Sequence, residues 1–158
     1  MVNVKIVAIG KIKEPFHREE INELSKRLSR YCKLQIIEVD EFKLRDESDK
    51  TILQTLSKEG EGLLKHIKKE DYIFLLDLHG NEVSSEKFAS QIDNLISQGK
   101  SITFVIGGSY GLSDEVRNAS NFLLKLSPMT FTHQMTRVII LEQIYRAFKI
   151  INKETYHK

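Results

Sequence analysis

The sequence predicts an α/β domain: a mostly parallel sheet of five to six strands with helices on both faces. Three observations carry that expectation. Short apolar runs alternate along the chain with segments of helical periodicity, the order expected of βαβ units. Two of those runs, residues 72–78 and 102–106, are apolar at nearly every position, as strands buried on both faces are. Finally, the 158 residues are 41% hydrophobic and 29% charged with no linker-like stretch, which suits a single domain over 1–158.

The first strand is residues 2–9, where Val2, Val4 and Ile6 share a face and Gly10 ends the run. Pro15 suits the first turn of a helix carrying Ile21, Leu24, Leu28 and Tyr31. A second strand is expected over 34–39 and a polar loop over 43–49. Ser48 can then cap a helix with the stripe Ile52, Leu53, Leu56, Leu63, Leu64 and Ile67, weakened in its middle by Gly60 and Gly62. After the strand at 72–78, Ser84 or Ser85 opens a helix bearing Phe88, Ile92, Leu95 and Ile96, and Gly99 closes it. The strand at 102–106 leads to a glycine-rich loop, and Ser113 with Asp114 and Glu115 starts a short helix. A strand over 122–126 and a long helix over 135–151 complete the pattern.

Several classes are excluded or disfavoured at once. One cysteine, Cys32, allows no internal disulfide and no multi-cysteine metal site, and reads as a small buried hydrophobe. The five histidines contain no helix-spaced pair, so no metal is expected. The longest apolar run, residues 72–76, is too short to cross a bilayer, and the start shows no secretory pattern. The expectation is a soluble, cytoplasmic protein without membrane partners. The net charge of +2 conceals a division. From Arg117 onward seven Lys/Arg face two acidic residues, a net +5; before it 17 face 20, a net −3. Basic charge gathered at one end points to nucleic acid or, equally, to a solvated helix face.

Parallel sheets bind ligands beyond the carboxyl ends of their strands, which directs attention to the loops after Leu78, Ile106 and Leu126. Residues 107–111 read Gly-Gly-Ser-Tyr-Gly, which is neither the dinucleotide fingerprint nor a P-loop. They do match Gly-x-Ser-x-Gly, with Ser109 at the nucleophile position, but the helix signal begins only at Ser113. The stretch 127–137 mixes hydroxyls, His133, Gln134 and Arg137 with apolar Met129 and Phe131, a blend suited to recognising a nucleobase. Glu142, Gln143, Tyr145 and Arg146 share an arc about 160° wide at helical spacing, which a solvated face explains as well as a site does.

Four blocks in order carry a family likeness: FVIGGSYGL at 104–112, SPMTFTHQMTR at 127–137, LEQIYRAFK at 141–149 and YHK at 156–158. With the opening VKIVAIGK at 4–11, they resemble the ribosomal RNA large subunit methyltransferase H family over the whole chain. That resemblance implies a SPOUT-type domain with a C-terminal trefoil knot, acting as a homodimer. It also implies that S-adenosylmethionine is used to methylate N3 of a pseudouridine in the helix 69 loop of 23S ribosomal RNA, within the ribosome or its large subunit. Carried over by position, the cofactor would be held by Leu76, Gly107, Leu126, Ser127, Pro128, Met129, Thr130 and Phe131. The chain departs from the family pattern at Pro128 and Thr132, which leaves the local backbone bonding open.

The acceptor nitrogen must lose a proton, so a base or an anion-stabilising group is needed beside it. His133, Arg137, Glu142, Arg146, Tyr156 and His157 are the candidates, and the sequence does not choose among them. Arg137 and Arg146 are further expected to face RNA. The tail at 152–158 suits either a lid over an extruded nucleotide or an anchor on its own subunit. On the first view, stopping the chain after Lys153 would spare folding and abolish transfer. Two other readings stay open: a non-catalytic ribosome-binding protein, and a SPOUT methyltransferase acting on transfer RNA.

Overall fold

A computed structural model describes residues 1–156, and His157 lies outside the described residues. Five strands form one sheet in the order β2-β1-β4-β3-β5, every neighbouring pair parallel. They are β1 (Val2–Ile9), β2 (Cys32–Val39), β3 (Tyr72–Asn81), β4 (Ile102–Ile106) and β5 (Phe122–Leu124). Five helices connect or follow them: α1 (Pro15–Leu28), α2 (Asp49–Leu64), α3 (Ser85–Ser97), α4 (Asp114–Ala119) and α5 (His133–Ile151).

Strand alternation sorts the core into two layers. Val4, Ile6 and Ala8 of β1 face α1, α3 and α5 across one side, where Phe74, Phe88 and Phe104 make the aromatic centre. Val7 and Ile9 face the other side, which α2 and α4 cover through Leu63 and Val116. Helix starts behave as their side chains dictate. Ser48, Ser84, Ser113 and Thr132 each accept a backbone N–H from the first turn they cap.

Some boundaries differ from expectation. β2 begins at Cys32 rather than residue 34, and Cys32 is buried, with burial pushing its thiol up to about 11. Helix α5 begins at His133, two residues early, because Thr132 supplies the cap through its Oγ1 to the Met135 N–H at 3.1 Å. Strand β5 stops at Leu124, short of the expected 126. Strand β3 runs past Leu78 through an irregularity to Asn81, whose carbonyl accepts the Lys125 N–H. Gly80 permits that approach, since a Cβ there would lie 2.6 Å from the Leu123 carbonyl oxygen.

The buried face of α2 is also rotated from the expected stripe. Thr51, Thr55, Glu59, Gly60 and Leu63 are buried, whereas Leu53 is exposed. The two glycines explain this. A Cβ on Gly60 would meet Ser113 Oγ at 2.5 Å, and one on Gly62 would meet Val39 Cγ1 at 2.7 Å. They bring the helix close to its neighbours instead of merely weakening it.

Candidate functional site

The carboxyl ends of β3, β4 and β5 open into a cleft of about 680 Å³. Three chain segments wall it. The tail of β3 contributes Leu76 to His79, the turn after β4 contributes Gly107 to Leu112, and the loop between β5 and α5 contributes Leu126, Ser127 and Met129 to His133. Ile106 and Leu124 close its floor. Of the positions carried over from the family, Leu76, Gly107, Leu126, Ser127, Met129, Thr130 and Phe131 line the cleft. Pro128 does not, although it sits in the same loop.

Each wall has a local cause. The Ser127 hydroxyl accepts the Met129 N–H at 3.0 Å and bends the chain over Pro128, which has no donor to satisfy. That turn leaves Met129 76% exposed and Phe131 45% exposed, an unusual state for large apolar side chains beside a cleft. In the glycine turn the Gly111 N–H donates to Gly108 O at 3.2 Å, and Gly111 takes φ +92°. Ser109 therefore lies in a closed turn, with α4 beginning five residues later. This is not the strand-to-helix elbow of a serine hydrolase. A Cβ on Gly107 would lie 2.6 Å from the Gly111 carbonyl oxygen, so its absence lets the turn close on itself.

The five candidates for proton chemistry among the described residues do not gather. His133 lines the cleft, and burial pushes its imidazole below the ordinary value; the charges of Arg137 and Lys13 act in the same sense and that of Glu41 opposes them. Arg137, one turn on, is 2% exposed. Its Nη1 donates to Glu38 Oε2 at 2.7 Å and its Nη2 donates to the carbonyls of Ile9 and Gly10. The expectation that Arg137 faces RNA fails on this burial: the guanidinium ties α5 to the end of β1.

Glu142, Arg146 and Tyr156 form a separate group farther along α5, outside the cleft. Arg146 Nε and Nη2 donate to Glu142 Oε1 at 3.1 and 2.6 Å, and the Tyr156 hydroxyl donates to the same oxygen at 3.1 Å. The Arg146 guanidinium lies 4.8 Å from the centre of the Tyr156 ring, whose edge meets Tyr145. The arc at 142–146 is thus a half-buried polar network, bonded to α3 through Ser85 and Gln143 at 2.8 Å, and not a solvated face.

The tail turns back at Lys153, with φ +54°. Glu154 then accepts from Tyr31 at 3.0 Å and from Lys149 at 2.6 Å. Stopping the chain after Lys153 would remove both anchors, which favours the view of the tail as an anchor on its own subunit.

The cleft is also lined by Asp77, Arg117 and Lys125, which sequence reasoning did not carry into the site. The carboxyl-edge rule points to the loop after β3, but in the sequence Arg117 stands out only as one charge of the basic last third. The basic excess of the last third is also largely neutralised internally. Arg117 pairs with Asp77, Lys125 with Glu82, Arg137 with Glu38, Arg146 with Glu142 and Lys149 with Glu154.

Comparison with known proteins addresses the architecture directly. Residues 2–157 match a family model described as "Predicted SPOUT methyltransferase". A Clostridium perfringens protein (strain 13) named ribosomal RNA large subunit methyltransferase H is 50% identical over 99% of this chain and 100% of its own length. The chain belongs to this family of SPOUT methyltransferases. An Acetivibrio thermocellus member with the same name is 48% identical over the same shares. Among solved structures, a methyltransferase from Legionella pneumophila in complex with the bound cofactor SAM superposes with a TM-score of 0.50 at 13% identity. The match covers 93% of this chain and 66% of that one. A methylase-family protein from Haemophilus influenzae gives 0.51 at 14%, covering 96% and 67%. These two likenesses bear on the fold alone. Among the described residues no helix is long and apolar enough to cross a membrane, and no cluster of three or more metal-ligating side chains occurs.

Proposed function

We propose that the protein is an S-adenosylmethionine-dependent methyltransferase of large-subunit ribosomal RNA. Its target is N3 of a pseudouridine in the helix 69 loop of 23S RNA, and it acts in the cytoplasm as a homodimer with a knotted C-terminal segment. The observation that carries the reading is the cleft at the ends of β3, β4 and β5 in a chain about half identical to named ribosomal RNA methyltransferases. Its volume falls in the range of about 300–1,000 Å³ typical of small-molecule sites. The donor set suits the cofactor. Leu76, Ile106, Leu126 and Phe131 offer apolar walls to adenine, and the loop backbones offer hydrogen bonds to its edge.

The bound cofactor supplies a methyl group on a cationic sulfonium. The chain's own residues supply position, which governs an in-line displacement of this kind. The turns at 107–112 and 126–131 fix the direction from which the acceptor approaches. His133, whose pKa burial lowers, lines the cleft and is a group there able to take the N3 proton. Glu142, Arg146 and Tyr156 lie off this cleft, and in a dimer packed through α5 one protomer's cluster would complete its partner's site.

The test uses ribosomal RNA from cells lacking this protein, incubated as large subunits and as ribosomes with protein and S-adenosylmethionine. Mass mapping is expected to find one added methyl on the helix 69 pseudouridine. Binding without methylation would favour the non-catalytic reading, and methylation of transfer RNA alone would favour the other SPOUT substrate.

A further inference from the structure

Five basic residues of the last third pair with carboxylates, and four of the pairs differ in kind from the fifth. Arg137 is buried and bonded through both outer nitrogens, Arg146 is bound through two nitrogens, and Lys149 is bound to Glu154; none of these lines the cleft. Lys125 lines it and lies 3.8 Å from Glu82. Arg117 lines it too, but it is held from behind. Its Nε donates to Asp77 Oδ2 at 2.9 Å, while its Nη1 comes only within 3.8 Å of Asp114, a carboxylate 90% exposed to water.

Asp77 makes this a built arrangement. Its side chain is 4% exposed, and its other oxygen accepts the His79 N–H at 2.8 Å, so the carboxylate is fixed at the end of β3. A buried carboxylate requires a partner, and here it orients the guanidinium of an arginine side chain that is 39% exposed. The outer nitrogens form a planar donor fork suited to a bidentate oxyanion.

We propose that Arg117, oriented by Asp77, seats the α-carboxylate of the cofactor's amino-acid portion. The assignment rests on the methyltransferase reading above. That ligand carries one anionic group, and most of the remaining cleft wall is apolar or backbone. Among the described residues, Arg117 and Lys125 are the lysine and arginine side chains that line it. A phosphate of the RNA is the other source of an oxyanion, and the experiment separates the two.

The test compares two ligands by calorimetry: S-adenosylhomocysteine, and methylthioadenosine, which lacks the amino-acid end. Arg117→Met is expected to weaken the first about tenfold or more, as loss of a charge-assisted pair does. It should change the second less than about twofold, because adenine contacts are untouched. Arg117→Lys should recover part of the loss. The pair Asp77→Asn with Arg117→Met removes both charges together and keeps the test available if the single variant folds poorly.

Equal weakening of both ligands would reduce Arg117 to a support of the wall and overturn the assignment, as would no weakening of either. A change confined to the salt dependence of ribosomal-particle binding would move the oxyanion to a phosphate and also overturn it. Failure of the wild type to bind either ligand would defeat the methyltransferase reading, and this one with it.

Discussion

Two stretches of the same sheet edge have opposite fates. At the end of β1 the backbone is sealed: the carbonyls of Ile9 and Gly10 take Arg137, the Ile12 N–H donates to Glu38, and the Lys13 N–H donates to Gln134. Beyond β3, β4 and β5 the edge stays open, and its loops border a cleft instead of one another. A parallel sheet leaves polar backbone groups at every strand end, and these need partners. Where side chains of the chain itself provide them, the result is stability; where they do not, room is left for a ligand.

The largest expected effect lies at the sealed end. Arg137→Ala would take the guanidinium from two buried carbonyls and leave Glu38 with the Ile12 N–H as its donor, and a loss of about 3 kcal/mol in denaturant unfolding is expected. Arg137→Lys should recover only part, since an ammonium does not reproduce the planar fork. The salt dependence of ribosomal-particle binding should stay at the wild-type slope in any folded Arg137 variant. A loss below about 1 kcal/mol with a shallower salt slope would reverse the assignment and place Arg137 on the RNA surface.

At the open end the balance inverts. Phe131→Ala should alter stability by less than about 0.5 kcal/mol, as exposed positions generally do. It should weaken S-adenosylmethionine about tenfold in a calorimetric titration, a difference of about 1.4 kcal/mol. Lost stability with unchanged affinity would make Phe131 part of the core.

His133 stands between the two regions, and its titration distinguishes them. Burial lowers its pKa in the fold, so the unfolded chain binds more protons just below pH 6.5. The resulting stability is complete above that value and falls as the pH drops through the window beneath it. If His133 also accepts the substrate proton, the acid limb of the methylation rate should lie below pH 6.5. A limb above 6.5 would assign the proton to another group.

The smallest effect concerns Glu59, buried under Gly108 with the Phe42 N–H on its Oε2 at 3.1 Å. Burial raises its pKa, with Glu41 adding to the effect. The folded form therefore holds its proton to higher pH than the unfolded, and stability declines as pH rises through the window above 4.5. Glu59→Gln should add up to about 1 kcal/mol at pH 7, and the gain should fade toward pH 4.5 in a series of melts. A gain independent of pH would remove the charge as its cause.

The open end was far more legible than the sealed one. Strands such as 102–106 announce themselves by apolar runs, and the carboxyl-edge rule then points to the loops that follow. The family likeness added Leu76, Gly107 and the 126–131 stretch. Arg137 was misread because a guanidinium in a polar run looks solvent-facing until β1 is placed beside it, 127 residues away in sequence. The α2 glycines were misread for a related reason: their fit against Val39 and Ser113 exists only after the layers pack. Glu142 and Arg146 share a helical face by spacing, yet nothing in the sequence shows that Tyr156 of the tail returns to the same carboxylate oxygen.

The division of the sheet edge is tested most directly by following backbone amide resonances while S-adenosylmethionine is added to the labelled protein. Large shifts are expected at residues 76–79, 107–112 and 126–133, with Lys11 to Lys13 at the sealed end little changed. Dominant shifts at residues 10–13 would contradict the account. So would dominant shifts at Met1 to Asn3 and Lys100, where a second cleft of about 540 Å³ lies near the amino ends of β1 and β4.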